Sequence, residues 1–159
     1  MKAYKTYIRP NIEYCVQLWN LTYKKDIECL ESVQHRISRV PPYLRDLPYE
    51  IRIKNMNLES HQERRKRGDA IHAFKILNSN TDINKFYSPD INPRTRGHTK
   101  RLKHPTARID IRKHCFSNRS SKIWNKLKKD IVESKTVIEF KRTYDKMLSS
   151  QDILPLNFN

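Results

Sequence analysis

Two glycines, Gly68 and Gly97, serve the whole chain of 159 residues. Tight two-residue hairpins and left-handed turns draw on glycine because it meets positive φ without steric cost. A chain with so few of them is steered towards helices joined by irregular segments. The same scarcity excludes a glycine-rich phosphate loop and a dinucleotide-binding fingerprint, since neither can be assembled from two isolated glycines. The length suits one domain with a real core.

Hydrophobic spacing supplies the helices. Ile27, Leu30, Val33, Ile37 and Val40 recur at steps of three or four, which puts them on one helical face until Pro41-Pro42 stops the run. Between Tyr4 and Trp19 a helix is broken or begun at Pro10, because proline is tolerated only in a first turn. A short helix follows Pro48 through Ile53 to Met56. Ser60 and Glu63 have the spacing of a capping box and open a longer helix with the stripe Ala70, Ile71, Ala73, Phe74 and Leu77. The span from Asn78 to His98 has no period and is expected to be a long loop anchored by Phe86-Tyr87. Alternation at Ala107, Ile109 and Ile111 predicts a short strand, paired with Lys100–Lys103 as the one candidate β-hairpin. Two further helices carry Ile123, Trp124 and Leu127, then Val137, Phe140, Tyr144 and Met147-Leu148. The expected fold is mainly α, a small helical bundle with a long loop over residues 1–148, and a frayed tail at 149–159.

Charge is distributed unevenly. Thirteen Lys or Arg and one acid, Asp110, lie between Arg94 and Lys129, a local balance of 13 − 1 = +12 out of +16 for the chain. Clustered cations with planar side chains among them suit a phosphate backbone, because each can displace a condensed counterion. Arg64, Arg65, Lys66 and Arg67 stand in the first turn of a helix, where cations oppose the dipole unless an anion is close. Trp124, beside Ile123 and Leu127, reads as core in preference to a base-stacking platform.

The chemistry is mostly negative. Acids occur singly, with no Asp-Asp or Asp-x-Asp pair to hold two divalent ions. The six histidines, His35, His61, His72, His98, His104 and His114, lack zinc-ligand spacing, and no cofactor or metal is expected. Nothing singles out a histidine pair for a stand-alone nuclease. Three widely spaced cysteines, Cys15, Cys29 and Cys115, suit reduced core thiols of an intracellular protein, nuclear or cytoplasmic. No apolar run is long enough to span a membrane, and the first residues do not look like a signal peptide.

An ordered set of short strings adds a family. Arg9-Pro10, Glu13-Tyr14-Cys15 and Trp19 are followed by Lys24-Lys25-Asp26-Ile27, Leu30-Glu31, Val33-Gln34 and Arg36. Then come Leu47-Pro48-Tyr49-Glu50, Arg52, Arg64-Arg65, Arg67-Gly68-Asp69 and Phe74-Lys75-Ile76-Leu77-Asn78. The last are Arg96-Gly97-His98, Phe116-Ser117, Arg119, Trp124-Asn125, Leu127 and Phe140-Lys141. In order and spacing this resembles the region downstream of the polymerase core in non-LTR (LINE-type) retrotransposon reverse transcriptases. Departures are Lys128 after Leu127, where the family commonly has proline, and Cys115 before Phe116, where a second phenylalanine is common. The resemblance implies a helical thumb that holds a template–primer duplex. In that family the palm, with its catalytic aspartates, lies upstream of this region.

The expected function is non-catalytic binding of RNA, DNA or an RNA–DNA hybrid through the backbone. Arg64, Arg65, Arg67, Arg96, Lys100, Arg101, Arg108, Arg112, Lys113, Arg119 and Lys122 are the candidate phosphate contacts, and His98 is a candidate hydrogen-bond partner. The alternative is a helical protein-interaction module that docks the upstream polymerase domains through the Ile27–Val40 face.

Overall fold

A computed structural model describes residues 2–19, 21–79, 85–90, 97–104 and 106–149. The chain is mainly helical and divides into two compact units, Met1–Gly68 and Asp69–Asn159. The calls on Arg96 and on the tail beyond Ser149 lie outside the described residues.

The first unit begins with a turn of π-helix, Tyr4–Ile8, that runs into α1 (Arg9–Glu13) with Pro10 in its first turn, as expected from its missing N–H. Next come α2 (Lys24–Ser38), a 3-10 turn at Pro42–Leu44 and α3 (Tyr49–Asn55). The helix α4 (His61–Leu77) starts here and continues past the division. Two left-handed positions fall on Cys15 (φ 51°) and Asn57 (φ 50°), neither of them glycine. At the end of α3, Leu58 N–H reaches Ile53 O at 2.8 Å and Asn57 N–H reaches Lys54 O at 3.0 Å. That is the helix-ending arrangement usually given to glycine, and asparagine tolerates it. The expected capping box closes α4: Glu63 N–H meets Ser60 Oγ at 3.2 Å, and Ser60 N–H meets Glu63 Oε2 at 3.3 Å.

What α2 buries is not its apolar stripe. Ile27, Leu30, Val33 and Ile37 are half-buried, while Gln34 and Ser38 are fully enclosed. The expectation that Val40 joins the stripe is corrected, because the helix stops at Ser38 and Val40 is 71% exposed. Pro41 disfavours helical dihedrals at the residue before it, so the turn ends early.

Gln34 is the hub of a buried polar network. Tyr4 O–H donates to Gln34 Oε1 at 2.6 Å, and Gln34 Nε2 donates to Tyr49 Oη at 3.1 Å and to Glu59 O at 3.0 Å. Tyr49 O–H donates in turn to Glu31, whose other carboxylate oxygen accepts His61 N–H at 3.2 Å. The Tyr4 proton is committed to Gln34, so His61 Nε2, 3.1 Å from the same oxygen, must be the donor there. His61 Nδ1 is buried without a partner, which makes the ring the neutral Nε2–H tautomer. Burial holds the His61 pKa below the ordinary imidazole value and pushes the Tyr4 hydroxyl up to about 12. Arg52 adds a second polar anchor through Nε to Ser38 Oγ at 3.0 Å and Nη1 to Leu47 O at 2.5 Å.

In the second unit the packing centres on an apolar cluster. The stripe on α4 is as expected, with Ala70, Ala73, Phe74 and Ile76 buried. They meet Ile123 and Trp124 of α6 (Phe116–Asn125), Ile131 and Val132 of α7 (Lys129–Val132), and Phe140 and Tyr144 of α8 (Val137–Ser149). Phe140 stacks on Phe74 at 4.5 Å between ring centroids, on Tyr144 at 6.0 Å and on Trp124 at 6.2 Å. Offset aromatic stacks of this kind add to their area burial.

The hairpin call is corrected. Lys100–Lys103 does pair, but with Ser88–Asp90: Asp90 N–H reaches Arg101 O at 2.9 Å and Lys103 N–H reaches Ser88 O at 2.7 Å. Residues 110–113 form a short helix, α5 (Asp110–Lys113), with the acid in its first turn where the dipole favours it. Ile109 is 66% and Ile111 85% exposed, so no buried face rewards a strand there. Of the two expected loop anchors, Tyr87 is buried with its hydroxyl 2.7 Å from Ser120 Oγ, while Phe86 is exposed. The expectation of core thiols is corrected as well: Cys29 is exposed, and Cys15 and Cys115 are half-buried.

Candidate nucleic-acid interface

The candidate cations divide by whether the fold has already used them. In the first unit, Arg64 forks onto both carboxylate oxygens of Glu13, with Nη2 to Oε2 at 2.8 Å and a shorter contact from Nε. Its Nη1 also lies 3.5 Å from Glu59. Arg65 is buried with its guanidinium 4.3 Å from the Trp19 ring centroid, a cation–π seat. Arg67 is half-buried at the edge of a concavity of about 190 Å³ that also includes Glu13 and Arg64. Of the four cations near the start of α4, Arg64 thus finds its counter-anions inside the fold, in Glu13 and Glu59.

Arg119, in the second unit, is the clearest reassignment. Its Nε and Nη2 bind Asp69 at 2.7 and 3.1 Å, Nη1 donates to His114 O at 3.1 Å, and the guanidinium sits 5.5 Å from the Phe116 ring centroid. The two side chains are 12% and 4% exposed. A bidentate pair this enclosed is a structural tie between α4 and α6 and leaves no fork for a phosphate.

His98 is likewise inward-facing. Its Nε2 donates to Trp124 O at 3.0 Å, its ring meets the indole edge-on at 6.0 Å, and Nδ1 is buried without a partner. Burial lowers its pKa, the Trp124 carbonyl opposes that shift, and the cations Arg101 and Lys100 lower it further. The role is to pin one end of the basic segment to the core. Trp124 is itself wholly enclosed, and its indole N–H donates to Lys100 O at 2.8 Å.

Asn125 pins the same segment by a two-way bond, accepting Leu102 N–H at 2.9 Å and donating to Leu102 O at 2.7 Å. Leu102 then points into the core, and Lys100 and Lys103 are turned outward beside α6. Gly97 lies under Arg101, where a Cβ would come 3.3 Å from Nη1. Arg101 and Lys122 are half-buried, and Lys122 depresses the pKa of His104 after burial has done so. Arg108, Arg112 and Lys113 are exposed, and α5 is held to α6 by Asn118 Nδ2 donating to Arg112 O at 2.6 Å.

The second unit thus presents Lys100, Lys103, Arg108, Arg112 and Lys113 as exposed cations on segments tied to α6, with Lys122 half-buried on the helix itself. Lys103 was missed among the candidates. Its position next to the buried Leu102 in an alternating segment is the signal that could have found it. Also missed were Arg36, Arg39 and Arg45 in the first unit, which surround a concavity of about 580 Å³. Arg36 and Arg39 are spaced i, i+3 at the end of an amphipathic helix, which was legible, but the approach of Arg45 was not.

Among the described residues, no three His, Cys, Asp or Glu side chains are grouped to hold a metal, and no helix is long and apolar enough to cross a membrane. Set against protein-family models, curated proteins and solved structures, the chain matches none.

Proposed function

We propose that the chain binds a nucleic-acid backbone without catalysing a reaction, as the thumb and following region of a LINE-type retrotransposon reverse transcriptase would. The observation that carries this is the set of exposed cations Lys100, Lys103, Arg108, Arg112 and Lys113, with Lys122 half-buried beside them, on a unit where Arg119 is already held by Asp69. Such a surface neutralises phosphates and carries no base-reading geometry, so the binding is weakly sequence-specific. In this reading RNA–DNA hybrid, RNA and DNA duplexes are all ligands, and the polymerase domains upstream supply the chemistry.

Six phosphate contacts give a log–log salt slope of about −5, at roughly −0.9 per contact. Replacing Arg108, Arg112 and Lys113 by glutamine should weaken binding of a short duplex and flatten that slope by roughly 3. These three side chains are exposed, so circular dichroism should be unchanged. Equal affinity of the triple variant and the wild type, or a slope near zero in both, refutes the assignment.

A second reading, a helical protein-interaction module, is favoured by one feature of the first unit. Tyr14 (74%), Leu18 (86%), Tyr23 (73%) and Tyr43 (79%) are exposed there. Retention of an added upstream polymerase domain by the purified chain, lost on Leu18→Asp, would support this; a monodisperse monomer that ignores that domain speaks against it.

A further inference from the structure

At the C-terminal end of α2, Arg36, Arg39 and Arg45 surround an open concavity of about 580 Å³ together with Val40 and Asp46. All three arginines are exposed, and none of their guanidinium groups is ion-paired among the described residues. Arg36 and Arg39 complement the negative end of the α2 dipole, which accounts for their presence but not for that of Arg45. Arg45 follows the 3-10 turn Pro42–Leu44 and is brought to the same hollow from outside the helix.

Charge selects the ligand. Three cations less one carboxylate leave +2 around a single small hollow. A phosphate monoester carries close to −2 at neutral pH, and a phosphodiester −1. A neighbouring concavity of about 400 Å³ shares Arg36 and Arg39 and is lined further on by Glu28, Glu31, His35 and Tyr49. Two carboxylates there repel a second phosphate, so a continuous backbone cannot run through both hollows. The His35 and Tyr49 rings, 5.0 Å apart, offer flat surface to an uncharged or planar group.

We infer that this groove binds a single phosphate monoester, with the guanidinium groups of Arg36, Arg39 and Arg45 as its ligands and the ester substituent directed towards His35 and Tyr49. The inference is independent of backbone binding by the second unit. The monoester is the 5′ end of a nucleic-acid strand or a free mononucleotide, which present the same group.

The test uses the whole chain and two short single-stranded oligonucleotides of one sequence, one 5′-phosphorylated and one 5′-hydroxyl. The phosphorylated strand should bind about tenfold tighter, as expected for charge-assisted bidentate contacts. Replacing Arg36, Arg39 and Arg45 by glutamine should erase that ratio. Replacing Arg108, Arg112 and Lys113 should weaken both strands and leave the ratio intact. Equal binding of the two strands by the wild type, or a ratio unchanged in the groove variant, overturns the inference. If neither strand binds, titration with a nucleoside monophosphate tests the groove directly. Shifts of the arginine Nε–H resonances, absent in the groove variant, support it, and no shifts at millimolar ligand overturn it. A ratio that survives excess monophosphate assigns the groove to strand ends; one that collapses assigns it to the free monoester.

Discussion

The two units bury apolar and polar side chains in different proportions. The second buries Trp124, Phe74, Phe140 and Val132 around one aromatic stack. At the centre of the first, among the described residues, are four buried apolar side chains, Tyr4, Val16, Leu44 and Leu58, beside Gln34, Ser38, Arg52, His61 and Arg65. An apolar core gains by area and tolerates small displacements, because dispersion and the hydrophobic effect are not directional. A polar core gains little per bond but loses a great deal when one partner goes missing, because the orphaned group stays desolvated. The first unit is therefore specified by geometry and the second by volume.

Three sets of substitutions sharpen or break that contrast. The largest effect belongs to the second unit: Phe140→Ala should cost about 3–5 kcal/mol in urea unfolding, from lost transfer energy plus the cavity left against Phe74 and Trp124. Arg119→Leu should cost a similar amount, about 3–5 kcal/mol, because it leaves the Asp69 carboxylate buried without its counter-ion. Were Arg119 a surface phosphate contact, the same change would leave stability untouched and weaken only binding.

A middle effect is expected in the first unit. Gln34→Leu keeps the approximate volume but strands the Tyr4 hydroxyl, the Tyr49 oxygen and the Glu59 carbonyl. A loss of about 1–3 kcal/mol is expected. Hydrogen exchange should localise it to residues of the first unit. If the leucine variant is as stable as the wild type, the polar centre is not what specifies that unit.

The smallest effect is shared. His61 and His98 each donate from Nε2 and bury a bare Nδ1, and both have pKa values held below the ordinary range, chiefly by burial. Between those depressed values and about 6.5 the unfolded chain binds more protons than the folded one. Stability is therefore fully present above about pH 6.5 and declines as the pH falls through the folded-state values. Urea midpoints at neutral and mildly acidic pH should show the decline. His61→Gln and His98→Gln should each flatten it while retaining a donor. A midpoint independent of pH would mean that both rings accept a second proton without cost.

Much of the helical framework was legible before any tertiary information. The Ser60 and Glu63 box, the stripe Ala70 to Leu77 and the spacing of Phe140 and Tyr144 are local patterns, and local patterns report which face of a helix turns inward. The errors sit where a long-range partner decides. Alternation at Ala107, Ile109 and Ile111 lost to pairing between Lys100–Lys103 and Ser88–Asp90, because Leu102 and Tyr87 had already filled the core. Phe86 and Tyr87 are equivalent as apolar anchors, and only Tyr87 finds Ser120.

The sequence by itself determined a helical, glycine-poor chain with its charge gathered in one tract, since periodicity, proline positions and formal charge need no partner to be read. The tertiary structure alone decided which of those charges remain available. Arg119 and Arg112 are alike as residues of a basic tract, but Asp69, 50 positions away, takes the first and leaves the second in water. Arg64 is taken in the same way by Glu13 at a separation of 51. An ion pair depends on distance in space, over a few ångströms, and carries no periodic trace along the chain.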